Sequence, residues 1–100
     1  MDRTGTHIEV AQEREVARGW EHDVLITTAD EQRSHTVRLD WADHDHWTGG
    51  TCSPSRTTEI LIALLVEHAE DLPGELPEKF DASTARRWLD ELDSAIQMRL

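Results

Sequence analysis

The sequence predicts an α+β domain: a three-stranded antiparallel meander over about 7–14, 20–29 and 34–40, a short helix over 41–47, and two longer helices over 54–71 and 82–98 packed on one sheet face. Three observations predict it. Two adjacent segments alternate apolar and polar residues across a polar turn. A seven-residue apolar run, Ile60 to Val66, follows the helix-start pair Ser53-Pro54. A third segment repeats apolar residues at three- and four-residue spacing.

Residues 1–6 are short and polar and read as a frayed tail on a domain spanning 1–100. From His7 the chain alternates weakly, with Ile8 and Val10 on one face; a helix through Val10, Arg14 and Ala17 competes with a strand. Trp20, His22, Val24, Ile26 and Thr28 share one face of the next segment, and His35, Val37, Leu39 and Trp41 share one face of the third. If Asp30 pairs with Arg33 across the turn, Ile26 faces Val37, Val24 faces Leu39 and His22 faces Trp41, with every apolar partner on one side. A loop over Glu15 to Gly19 then sets Val10 opposite Val24 and Ile8 opposite Ile26.

Trp41 to Trp47 reads as a turn or two of helix, stopped at Thr48-Gly49-Gly50 because glycine accepts the left-handed conformation at a helix end. Ser53 suits an N-cap and Pro54 the first helical position. The central helix is apolar nearly all round, so a sheet face and the last helix leave a third side that a partner subunit could cover. Pro73 and Pro77 break it. In the last helix Ala85, Trp88, Leu89, Leu92, Ala95 and Ile96 form the inner stripe, while Arg86 with Asp90 and Arg87 with Glu91 form outer i,i+4 pairs.

Trp20-Glu21-His22, Thr48-Gly49-Gly50, Ser53-Pro54, the run 60–66 and Phe80-Asp81 together resemble a group of small uncharacterised bacterial proteins of about this length. Those have an N-terminal hairpin, a Thr-Gly-Gly stop and two C-terminal helices. The resemblance covers roughly residues 8 to 95 and implies the layout above. It implies no activity and no functional residue.

Ten basic residues against twenty-one acidic give a net charge of −11, which repels phosphate backbones and anionic lipid heads. Direct binding to nucleic acid or membrane is therefore not expected. The lone Cys52 and the absence of a secretion pattern fit a reducing, cytoplasmic setting.

Asp43-His44-Asp45-His46 invites a metal or acid–base reading, with His22, Cys52 and His68 as further ligands. On a helix, residues two apart point to nearly opposite sides, so His44 and His46 do not converge. No spacing matches a zinc pattern. Cys52 beside these histidines suggests a nucleophile and base, but no oxyanion-forming loop accompanies it. The Thr-Gly-Gly-Thr-Cys-Ser stretch lacks the Gly-Lys-Ser/Thr of a phosphate loop. His22 and His35 read as rim residues of the inner sheet face. Of the four tryptophans, Trp41 and Trp88 read as core, and Trp20 and Trp47 as either loop anchors or interface residues.

The leading expectation is a non-catalytic protein-interaction module, self-associating as a homodimer, with Trp20, Trp47, Ile62 and Val66 as interface candidates. No catalytic residue and no cofactor are assigned. The alternative is a small-ligand or metal-binding regulator using the turn 43–46 and Cys52, with His44, His46 and Cys52 as candidate metal ligands. A third reading is an acidic antitoxin-like or nucleic-acid-mimicking regulator seated in a basic protein groove.

Overall fold

The computed structural model describes residues 6–100, so all but Thr6 of the expected tail lies outside the described residues. Alternating residues give three antiparallel strands in chain order, β1 (His7–Val16), β2 (Gly19–Thr27) and β3 (Gln32–Asp40). A fourth, β4 (Lys79–Asp81), adds to β3 in parallel, so the sheet order is β1-β2-β3-β4. The expected three-stranded meander is thus part of a mixed four-stranded sheet. β4 is too short for its alternation to be read, and Phe80 is its one buried residue.

The first strand is a strand and not a helix, and its expected register holds: Ile8 faces Ile26 and Val10 faces Val24. A bulge between Val10 and Gln12 then shifts the pairing by one, so Glu13 and not Gln12 lies opposite His22. The β2–β3 register differs from expectation. Ile26 faces Arg33, Val24 faces His35, His22 faces Val37 and Trp20 faces Leu39. The turn closes at Thr27 and Gln32, with the Thr28 N–H donating to the Glu31 carbonyl at 2.8 Å. The expected pairing is off by four positions along β3. Because four is even, Val24, Ile26, Val37 and Leu39 still share the buried face.

Asp40 ends the sheet and caps α1 (Trp41–Thr48), its carboxylate accepting the Ala42 N–H at 2.8 Å. Gly49, at φ 61°, closes the helix with its N–H on the Asp45 carbonyl. Trp41, expected in the core, is the first helical residue and turns outward, 52% exposed. α2 (Pro54–Glu67) starts as expected, with Ser53 accepting the Arg56 N–H. It stops short of residue 71 and passes into a 3-10 turn, Ala69–Asp71, because Leu72 precedes proline and is extended.

The expected last helix over 82–98 is broken. A 3-10 segment, Ala82–Arg87, capped by Asp81, is separated by residues 88–91 from α3 (Leu92–Gln97). The expected Arg86–Asp90 pair is replaced by Arg86 donating to Asp43 at 2.8 Å and Asp93 at 2.9 Å. Asp93 also accepts the Trp47 indole N–H at 2.6 Å, and Arg86 lies over the Trp47 ring.

α2 is wrapped by all of this. Ile60, Leu61, Ile62, Leu64 and Leu65 are buried against the sheet, α1, the 3-10 segment and α3. Ala63 and Val66 are half-buried. The chain itself covers most of the side left open by the sequence reading, with Ala63 and Val66 only partly covered.

Candidate binding cleft

The candidate metal residues are brought together only in part. His44 Nε2 donates to the Cys52 backbone carbonyl at 2.6 Å, and the His44 ring sits edge-on to Trp20 at 5.2 Å. His46 points instead toward Asp93, 3.4 Å away. His44 is therefore a loop tether between α1 and the start of α2. Among the described residues no group of three or more His, Cys, Asp or Glu side chains is placed to hold a metal ion.

The interface candidates also divide. Trp47 is 1% exposed and Ile62 0% exposed, so both belong to the core and offer no surface. Trp20 and Val66 are half-buried, packed on the edge of that core. The side chains of His22 and His35, expected at the rim, are buried too. His35 Nδ1 donates to the Pro77 carbonyl at 2.7 Å, which fixes the loop before β4.

His22 belongs to a constellation that sequence reasoning missed. Its Nε2 meets the Glu13 carboxylate at 2.9 Å and its Nδ1 meets the Thr58 hydroxyl at 2.8 Å. A carboxylate only accepts, so Nε2 carries a proton, and Nδ1 shares a hydrogen bond with the Thr58 hydroxyl. This connectivity matches that of a hydroxyl–imidazole–carboxylate triad. The burial is the reverse of what catalysis needs. Thr58 is 0% exposed on α2, whereas the Glu13 side chain is 41% exposed at the sheet edge. No substrate reaches the hydroxyl, and the group instead ties β1 and β2 to α2. The β1 bulge that moves Glu13 onto the inner face was the missing signal.

A concave feature lies where two helical breaks meet. α2 gives way to a 3-10 turn after Glu67, and the C-terminal segment is interrupted at 88–91. Neither fills the space beside the last turns of α2, which leaves a cleft of about 480 Å³. Its floor is apolar, formed by Leu64, Trp88, Leu89 and Leu92, and its rim carries His68, Asp71, Asp90 and Glu91. No lysine or arginine lines it. Arg99, a nearby cation by sequence, is held on Glu67 at 2.6 Å, and that bond keeps the Glu67 carboxyl below the usual carboxylate range. Asp71 stands 3.4 Å from His68 Nδ1. Three carboxylates above a greasy floor complement a cation carried on an apolar stem. Apart from the many acidic residues after position 66, nothing in the sequence marks this site, because residues 68 and 71 approach residues 90 and 91 only in the tertiary fold.

Compared with known protein families, with curated proteins and with solved structures, the chain finds no match.

Proposed function

We propose that this protein is a non-catalytic interaction module that takes a basic segment of another protein into the cleft between the end of α2 and the break at residues 88–91. One observation carries the reading: an apolar floor ringed by Asp71, Asp90 and Glu91, with no lysine or arginine among its walls. The net charge of −11 speeds encounter with a basic partner and opposes pairing with a second copy. Ile62 and Trp47 lie inside the fold, which leaves Trp20 and Val66 as the half-buried candidates for contact with a second copy. The buried hydroxyl of Thr58 supports a non-catalytic role for the one triad-like group. No helix among the described residues is long and apolar enough to cross a membrane, and the free Cys52 suits a reducing, cytoplasmic compartment.

The test compares two double charge reversals of equal net charge, Asp90→Lys with Glu91→Lys in the cleft and Glu9→Lys with Glu15→Lys on β1. A fluorescein-labelled octa-arginine peptide is the probe, read by anisotropy. Binding by the wild type should weaken steeply with salt. The cleft reversal should weaken it at least tenfold and the β1 reversal less than threefold. Equal losses would mean that net charge alone drives binding, and the cleft assignment would fail.

A further inference from the structure

The acidic cleft does not end at Trp88. The same indole walls a second hollow of about 230 Å³, formed with the loop Leu72, Pro73, Leu76 and Pro77. Trp88 packs on Phe80, with ring centres 5.4 Å apart, and lines both hollows.

The loop is held on both flanks: His35 Nδ1 donates to the Pro77 carbonyl at 2.7 Å, and Arg33 donates to Glu75 at 3.0 Å. Two prolines restrict its backbone further. A ligand entering there pays little ordering entropy. The two hollows differ in chemistry. One is rimmed by carboxylates, while the other is walled by leucine, proline and indole, with Glu75 its one charged residue.

We propose that the two hollows form one bipartite groove for an extended segment of a basic protein, with an arginine or lysine at the Asp71, Asp90 and Glu91 end and an apolar residue beyond Trp88 against Leu72 and Pro73. The inference rests on the acidic cleft being the contact surface and adds the apolar half of the motif. Charge complementarity fixes the first position, and the shared indole wall fixes the second beside it. A segment with both side chains places the cation's stem over Leu64 and Leu92 and buries the apolar residue in the proline-lined hollow.

The test is a ¹H–¹⁵N titration of the whole protein, with the Trp88 indole N–H assigned through Trp88→Phe. The probes are acetylated, amidated dodecapeptides with two arginines at one end and Leu-Pro-Leu at the other, in both orders and with two to five serines between. The expected result is that at least one moves the Trp88 indole signal together with backbone signals of residues 89–91 and 72–76. Replacing its Leu-Pro-Leu by Ser-Ser-Ser should weaken binding at least tenfold and abolish the shifts at 72–76. Replacing its arginines by glutamates should abolish binding.

If the serine-substituted peptide binds as tightly, with shifts confined to the acidic end, the bipartite groove is refuted and the acidic cleft stands. If no peptide moves either region, both readings fall. Spermidine reproducing the full pattern with equal affinity would overturn the protein-segment occupant. Concentration-dependent shifts of the same signals without peptide would assign the groove to a second copy of this chain and overturn it as well.

Discussion

Trp47 and Asp93, 46 residues apart in sequence, are joined by a 2.6 Å hydrogen bond from the indole N–H to the carboxylate. Trp47 is otherwise enclosed by the core, and Arg86 completes the clamp by bonding Asp93 and Asp43 while lying over the indole ring. This contact ties α1 to α3, beside His46 near Asp93 and Gln97 on the His46 carbonyl.

Asp93→Ala strands a buried indole N–H and leaves Arg86 with one carboxylate. The expected destabilisation is about 1–3 kcal/mol, the cost of an unsatisfied buried donor. Urea unfolding measures it. In a Trp47→Phe background the same substitution should cost markedly less, because the donor is already gone. An Asp93→Ala cost that is unchanged in that background would show that the clamp works through Arg86 alone.

Acid should loosen the same clamp. Burial by itself would raise the Asp93 carboxyl, but hydrogen bonds from Trp47 and Arg86 and the Arg86 charge bring it below its ordinary value. The Asp40 carboxyl is held down by the Ala42 N–H, and Glu67 by Arg99. A carboxyl depressed in the folded state binds fewer protons there than in the unfolded chain. Its stabilisation is therefore complete above the unfolded value of about 4 and is lost as pH falls through the native values. The urea midpoint of the wild type should decline below about pH 4. Asp93→Asn should be less stable at pH 7, with the gap to wild type closing toward pH 2.5. A gap that persists at pH 2.5 would place the acid sensitivity elsewhere.

Within the core, Thr58→Val removes the hydroxyl bonded to His22 Nδ1 and leaves a buried ring nitrogen without a partner. A loss of about 1–3 kcal/mol is expected in urea unfolding. Glu13→Gln keeps an acceptor for Nε2 at a half-exposed position and should cost less than about 1 kcal/mol. The reverse order of severity would mean that the Glu13 charge, and not hydrogen-bond satisfaction, secures β1.

These residues show how far the sequence could be read. Helix punctuation was legible because it is local: Ser53 and Pro54 start α2, and Gly49 ends α1. The faces of β2 and β3 were legible from alternation, but their register was not, since a shift of four leaves every face unchanged. Hairpin register is set by the turn, and Thr28 with Glu31 closes one two residues earlier than Asp30 with Arg33 would. The apolar stripe from Ala85 to Ile96 fits an unbroken helix, and only the tertiary bonds of Arg86 and Asp93 explain the break. The cleft was hidden because its rim residues 68 and 71 meet 90 and 91 only in the tertiary fold.

The tightest backbone approach in the sheet gives the last prediction. A Cβ built on Gly19 would stand 2.4 Å from the Leu39 carbonyl oxygen and 3.1 Å from the Asp40 Cα. Neither neighbour can retreat cheaply. Leu39 is fully buried in the core, and Asp40 faces Gly19 in the ladder while its carboxylate caps α1. A methyl group here must push apart two strands that carry Val24 and Val37. Gly19→Ala is expected to cost about 1–3 kcal/mol, as overpacking of a close-packed site does. Gly74 has no atom within 4 Å of its would-be Cβ, so Gly74→Ala should stay within about 0.5 kcal/mol of wild type. Hydrogen exchange supplies a second readout. If β3 shifts, the Ala42 amide should lose protection with it, because its acceptor is the Asp40 carboxylate. A Gly19→Ala protein as stable as wild type, with that amide still protected, would show that β2 and β3 do not lie this close.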